Sequence, residues 1–269
     1  MSKKGIDVST HNGKIDWTKA KGEIDFVMIR AGYSRTFDAQ ATNNINGCRA
    51  NHIPYGLYWF SYALSVEDAI KEANTLCDFA DMCDASYPLA YDWEYESDNY
   101  AAKCGVKMTN AKREQFAKAF LNRVEERGYY AMIYTNLDYL SKGFANLLYR
   151  YDVWLANWGV SKPAKSCGIW QTTDSAYIGG VGKCDFDMSY KDYPSIIKAM
   201  KINKTSTNKN SENTLEKIKD KYWEKYMNVA KEVIAGKYGV NPARKEKLKS
   251  LGYDYDFIQE IVNTLINNK

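Results

Sequence analysis

Between residues 5 and 186, short runs rich in β-branched and aromatic residues alternate with longer amphipathic stretches, and this alternation restricts the fold most tightly. The strand candidates are 5–8, 26–31, 55–60, 89–93, 131–134, 153–156, 169–171 and 184–186. Helical stretches fall between several of them, among them 66–82 and 110–127. The second places Phe116, Ala119, Phe120 and Val124 on one face. A strand can pair in parallel with the next only if a crossover returns the chain to its starting end, and a helix supplies that crossover. Strand and helix repeated from the N-terminus therefore predict a parallel sheet, and about eight strands predict a barrel. The last third departs from the pattern. The gaps 157–168 and 172–183 are short and rich in Gly, Lys and Ser, with little room for a full crossover helix. The expected fold is α/β: an incomplete or distorted (β/α) TIM-like barrel whose final strands are joined by loops, some pairing antiparallel.

Residues 203–213 contain no apolar side chain and mark a linker. The chain thus divides into a barrel over 1–200, a polar linker over 201–213 and a small all-α three-helix module over 214–269. In the module Leu215, Ile218, Tyr222, Tyr226, Val229 and Val233 recur at helical spacing until Gly236 and Gly239. Asn241 before Pro242 predicts an N-cap, and Leu248, Leu251 and Gly252 close a second short helix. Asp254 or Asp256 caps a third, with Phe257, Ile258, Ile261, Val262 and Leu265 facing inward. A module this small suits binding better than catalysis.

Apolar residues make up 45% and charged residues 26%, enough for a sizeable core. No apolar run reaches the roughly 18 to 20 residues of a membrane span. Met1–Gly5 lacks the apolar core of a signal peptide, so synthesis in the cytoplasm without a signal peptide is expected. Residues 201–269 hold 14 Lys and Arg against 9 Asp and Glu, whereas the first 200 hold 23 against 24. The positive excess lies in the tail, which suits either an acidic polymer or a solvated helix face. Cys48, Cys77, Cys83, Cys104, Cys167 and Cys184 include no C-x-x-C pair, and His11 and His52 stand far apart, which argues against zinc. Free buried thiols are the default expectation, with a disulfide between some pair left open. His11 suits a cleft wall or a solvated loop equally.

The chemistry centres on Tyr91-Asp92-Trp93-Glu94-Tyr95. On a strand over 89–93, Asp92 and Glu94 point the same way at the C-terminal end, where barrel active sites gather. Neighbouring like charges oppose double ionisation, so one carboxyl keeps its proton, as glycosidic cleavage requires. Asp7 ends the first strand and Asp185 lies in the last, and a closed sheet brings those two strands together. Tyr33, Phe60, Tyr62, Trp93, Tyr134, Trp154, Trp158 and Trp170 stand at strand ends, some as core and some as surfaces for sugar rings.

These residues resemble the family 25 glycoside hydrolases, lysozymes of many phages and bacteria, over roughly residues 4–200. The likeness is carried in order by Gly5-Ile6-Asp7-Val8-Ser9, Phe26-Val27-Met28-Ile29-Arg30-Ala31-Gly32, Pro54-Tyr55-Gly56-Leu57-Tyr58 and Tyr91-Asp92-Trp93-Glu94. It continues through Val153-Trp154-Leu155-Ala156-Asn157-Trp158, Ile169-Trp170-Gln171 and Cys184-Asp185-Phe186-Asp187. The resemblance implies hydrolysis of the β-1,4 bond between N-acetylmuramic acid and N-acetylglucosamine in bacterial peptidoglycan. Glu94 matches the general acid and base. Asp92 matches either the nucleophile or the group that orients the substrate's 2-acetamido arm, and Asp7 and Asp185 complete the acidic pocket. Tyr33, Arg30, Tyr62, Tyr134, Trp154 and Gln171 are the expected substrate-binding residues, with no metal or cofactor. Family members often carry Asn where Asp187 stands. Strand alternation favours Asp185 as the acid facing the site, with Asp187 expected past the strand. Residues 229–265 resemble a three-helix wall-binding repeat appended to phage lysozymes. A phage or prophage lysin acting at the cell wall after release follows, with nucleic acid disfavoured as a partner and the oligomeric state open. The rival readings are a β-N-acetylglucosaminidase and a non-catalytic wall-binding protein on a hydrolase fold.

Overall fold

A computed structural model describes residues 2–203 and 226–267, apart from 252 and 254. The chain forms two compact units, Met1–Thr207 and Asn208–Lys269.

The first unit is a closed barrel. Its strands are β1 (Lys3–Val8), β2 (Phe26–Tyr33), β4 (Tyr55–Phe60), β5 (Leu89–Asp92), β6 (Ala131–Asn136), β7 (Asp152–Ala156), β8 (Ile169–Ile178) and β9 (Gly182–Ser189). The two-residue β3 (Thr36–Phe37) pairs antiparallel with β2 outside the ring. Strands β1, β2 and β4 to β8 run parallel in sequence order, and β9 runs antiparallel to both β8 and β1 to close the ring. The distortion arises where crossover length runs out. No helix joins β7 to β8, and β8 turns directly into β9 through residues 179–181. Gly180 makes that turn at φ +83°, where a Cβ would also lie 2.4 Å from the Asp16 carbonyl oxygen, so only glycine fits.

Helices α1 (Trp17–Ala20), α2 (Ala41–Ala50), α3 (Val66–Ala80), α4 (Tyr95–Lys103), α5 (Asn110–Glu126), α6 (Leu137–Lys142) and α7 (Tyr193–Met200) accompany the barrel strands. Several begin on side-chain caps that satisfy otherwise unpaired amides. Ser65 Oγ accepts from the Asp68 N–H at 3.1 Å, Thr109 Oγ1 from the Lys112 N–H at 3.2 Å and Asn136 Oδ1 from the Tyr139 N–H at 3.0 Å.

Alternation along the strands fills the interior with Phe26, Met28, Tyr58, Ala90, Met132, Tyr134, Trp154, Ala156 and Ile169. Tyr193 and Ile197 of α7 pack against this set together with Tyr87, whose ring stacks on Phe26 at 4.6 Å. The chain then returns beneath the sheet to Asn203, which is 1% exposed. Its Nδ2 donates to the carbonyls of Ala85 and Tyr87, and its Oδ1 accepts from the Tyr130 N–H. Asn203, the first residue of the apolar-free run, is thus fastened to the barrel, and residues 204–213 lie outside the described residues.

In the second unit, α8 (226–234), α9 (Ala243–Ser250) and α10 (Tyr255–Asn267) enclose a small core. It holds Tyr226, Val229, Ala230, Val233, Leu248, Tyr255, Ile258, Ile261 and Val262, with Leu265 packed against it. Leu251 is 55% exposed and takes no part in it. Leu215, Ile218, Tyr222, Gly252 and Asp254 lie outside the described residues, as does the side chain of Phe257.

Candidate active site

Inward-facing residues at the C-terminal ends of the strands line a cleft of about 760 Å³. The pairing aligns Phe60, Asp92, Tyr134 and Trp154 on four neighbouring strands, and sets Asp7 directly opposite Asp185. Tyr33 reaches this wall through an irregularity. Strand β2 bulges between Arg30 and Gly32, and the extra residue returns Tyr33 to the inner face on which Arg30 already lies. All ten residues expected from the sequence line the cleft: Asp7, Asp92, Glu94, Asp185, Arg30, Tyr33, Tyr62, Tyr134, Trp154 and Gln171.

Two polar networks hold these groups. Gln171 Nε2 donates to Asp7 Oδ2 at 2.7 Å, while its Oε1 accepts from the Tyr134 hydroxyl and Trp158 Nε1, each at 3.1 Å. On the other side Arg30 donates through Nε and Nη2 to Asp38 Oδ2, both at 2.8 Å. Asp38 also accepts from the N–H groups of Thr10 and Gln40, tying the loop after β1 to the same anchor. The Arg30 guanidinium lies 5.3 Å from the centre of the Tyr33 ring, in cation–π range.

Glu94 departs from the strand geometry expected for it. Strand β5 stops at Asp92, and Glu94 is the extended N-cap residue of α4, at φ −128°. Its N–H donates to Ser97 Oγ at 3.2 Å, and its carbonyl accepts from the Ser97 N–H at 3.1 Å. The two carboxyls therefore reach the cleft from a strand end and a helix start, with Trp93 buried between them.

Burial dominates the electrostatics. It lifts Glu94 to about 7, with Glu96 and then Asp185 adding like-charge repulsion. Asp92, 3% exposed, is held well above the carboxylate range by burial and then Glu94, with Arg30 opposing. Burial also raises Asp7, followed by Asp187 and Asp185, against the Gln171 hydrogen bond. Asp185 rises for the same first reason, with a hydrogen bond to Asp7 pulling it down.

Asp187 corrects an expectation. Strand β9 continues to Ser189, so Asp187 lies within the strand, two residues from Asp185 and on the same inner face. It is fully buried, accepts from Trp154 Nε1 at 2.7 Å and is pushed up to about 8 by burial. It supports the cleft floor but does not line the opening.

Tyr58, Glu96, Asp174 and Lys183 also line the cleft, and so does His11. Tyr58 was recoverable from alternation, two residues before Phe60. Glu96 and Asp174 carry no pattern that separates them from solvated acids. Trp170 turns away, its Nε1 bound to the Asn157 carbonyl at 2.8 Å. All six cysteines are free thiols. Among the described residues no group of three or more His, Cys, Asp or Glu is arranged to hold a metal ion.

An aromatic-walled cleft at a barrel mouth, with several acids and one buried carboxyl raised above its ordinary value, is the arrangement that glycoside hydrolases use. The chain belongs to glycosyl hydrolases family 25, whose family model matches residues 6–181. A CW_7 repeat matches residues 228–266. The lysozyme of Streptococcus phage Cp-7 is 24% identical over 276 residues, spanning 97% of this chain and 69% of that relative. Among solved structures, the modular autolysin LytC from Streptococcus pneumoniae, in complex with a synthetic peptidoglycan ligand, is 27% identical with a TM-score of 0.62. The match covers 70% of this chain and 47% of LytC, so the chain corresponds to about half of that protein. The bacterial lysozyme from Streptomyces coelicolor shares the fold at 20% identity and a TM-score of 0.62, over 76% of this chain and 98% of its own.

Proposed function

We propose that the chain is an N-acetylmuramidase that hydrolyses the β-1,4 bond between N-acetylmuramic acid and N-acetylglucosamine of bacterial peptidoglycan, with Glu94 as its acid and base. The observation that carries this reading is the Glu94 carboxyl, presented to the cleft from a helix N-cap and lifted to about 7 by burial and neighbouring acids. At neutral pH a large share of molecules holds the proton that the leaving oxygen needs. The likeness to the phage lysozyme supports the choice of substrate.

In the proposed reaction Glu94 gives its proton to the glycosidic oxygen as the bond to the anomeric carbon breaks. Either Asp92 in its charged form or the sugar's own 2-acetamido oxygen closes onto that carbon, and the assisted route is favoured because burial and then Glu94 oppose the charged form of Asp92. Glu94, now ionised, takes a proton from water, which attacks the same carbon and restores the starting state. Asp7 and Asp185 hold the acidic pocket, and Tyr33, Tyr62 and Trp154 offer ring faces to the sugars. Such a cleft repels phosphate, which disfavours a nucleic-acid partner.

The helical unit is proposed to hold the enzyme on the wall and raise its effective concentration there, as in a phage-type endolysin. An inactive intact chain should sediment with purified walls, and a chain ending at residue 207 should do so far less. Equal sedimentation of the two would remove this role. The hydrolase assignment is tested by the reducing ends released from peptidoglycan, since muramic acid ends support it and glucosamine ends redirect it to a glucosaminidase.

A further inference from the structure

The proposed acid sits on a corner without ladder support. Strand pairing fixes the backbone as far as Asp92, which pairs with Phe60 and Tyr134, and then ceases. Trp93, immediately before Glu94, is fully buried and packs edge-on to Phe116 of α5 at 6.1 Å. Its Nε1 donates to Asp98 Oδ1 at 3.0 Å.

Asp98, in the first turn of α4, gathers far more than this one bond. Arg113 of α5 donates through Nε to both oxygens, at 2.9 and 3.1 Å, and through Nη2 to Oδ2 at 2.5 Å. The Tyr139 hydroxyl of α6 donates to Oδ2 at 2.8 Å. Arg113 is steadied in turn by Asn110 Oδ1 at 2.9 Å and by the Tyr139 ring, whose centre is 5.3 Å away. One carboxylate thus joins the end of β5 to α4, α5 and α6. Burial acts against its charge, and the hydrogen bonds from Arg113, Tyr139 and Trp93 more than offset that, leaving Asp98 below its ordinary value. An Arg–Asp pair of this fork geometry is directional as well as attractive.

We propose that Asp98, held by Arg113 and Tyr139, is the positioning residue for Glu94, fixing the residue before it and the helix turn after it so that its carboxyl projects into the cleft. A staple serving only stability would need Arg113 and α4. The bond to Trp93 instead reaches the residue whose outward side chain sets where the next one points. Ser97, one residue before Asp98, accepts the Glu94 N–H, so the corner is held from both sides. This inference rests on Glu94 being the acid.

The test compares the parent with Asp98→Ala, Asp98→Asn, Trp93→Phe and Glu94→Gln on soluble, uncrosslinked glycan strands. Asp98→Ala should lower kcat by about 10- to 100-fold, the scale on which small misplacements act, with KM changed by less than about twofold. Its alkaline limb in kcat should move to lower pH as Glu94 loses burial. The ionisable groups facing Glu94 are Asp92 of β5, Glu96 of α4, Asp185 of β9, Tyr134 of β6 and Tyr62 after β4. None is altered, but Asp98→Ala also deletes a charge and leaves Arg113 without its carboxylate, which lowers Glu94 in the same direction. Trp93→Phe changes no charge, so a limb moved there reports displacement of Glu94 itself. Asp98→Asn still accepts from Trp93 but turns an amide donor toward Arg113 and Tyr139, and should recover only part of the loss. Trp93→Phe keeps an aromatic ring against Phe116, removes the pyrrole with its one donor, and should shift kcat and the limb the same way by a smaller amount. This last variant decides the matter if Asp98→Ala does not fold. Parent-like kcat and limb in Trp93→Phe, or a fall in thermal stability with neither moved in Asp98→Ala, overturns the proposal while Glu94→Gln stays inactive. Full activity in Glu94→Gln overturns the acid assignment itself, and the positioning role with it.

Discussion

Replacing Asn203 by alanine separates a linker residue from a structural clasp. In a solvated linker the change would alter stability by less than about 0.5 kcal/mol. In the structure it removes three hydrogen bonds, with Nδ2 to oxygen distances of 3.1 and 2.9 Å and a Tyr130 N–H contact of 2.7 Å. Each net contribution is about 1 kcal/mol, and two carbonyls and an amide are left without their partner. Asn203 also adopts φ +60°, a left-handed conformation that Asn tolerates better than Ala. Together these effects predict a loss of about 3–4 kcal/mol, or roughly 6–16 °C in the Tm of a barrel of this size. Differential scanning calorimetry of the intact chain measures it directly. Because Asn203 clasps the entrances of β5 and β6, away from the cleft, kcat at 25 °C should stay within about twofold of the parent. A Tm lowered by less than about 2 °C would refute the clasp.

The remaining predictions concern the acid and the packing. An acid that works in its protonated form loses activity as pH rises through its own value, so kcat/KM should fall about tenfold between pH 6 and 8 with Glu94 at about 7. A flat profile over that range contradicts the assignment. Glu96→Gln removes a charge that lifts Glu94 and should move that limb down by on the order of half a pH unit. An upward or absent shift, read from the same profile, counts against that origin. Gly47→Ala in α2 would place a Cβ 1.9 Å from Trp17 Cδ1, so despite better helix propensity it should cost about 1–3 kcal/mol in thermal unfolding.

The barrel strands were legible wherever burial on both faces leaves a continuous apolar run, and β4 matches its expected span of 55–60. Strand β8 runs well past its three-residue signal because its distal half pairs with the start of β9 in a hairpin that needs no continuous apolar run, and β9 runs on to Ser189 by pairing with β1 and the start of β8. Helix α2 escaped notice since Thr42, Asn43, Asn44 and Gly47 are weak helix formers, and tertiary contacts hold Ala41, Ile45 and Cys48 in place. Within the site, Tyr134 and Trp154 were legible as aromatics at strand ends and Gln171 only through the family resemblance, while period-two alternation treated Glu94 as a strand residue. A helix N-cap had taken over there, through Ser97, whose capping role appears only in three dimensions. Asp98 was illegible for a related reason. Its partners Trp93, Arg113 and Tyr139 lie 5, 15 and 41 residues away, and no local period connects them.

The central claim is tested most directly by digesting purified peptidoglycan with the parent and with Glu94→Gln, reducing the products with borohydride and identifying the new ends by mass spectrometry. The account predicts reduced muramic acid ends from the parent and none from the variant. Equal release of those ends by Glu94→Gln would contradict it.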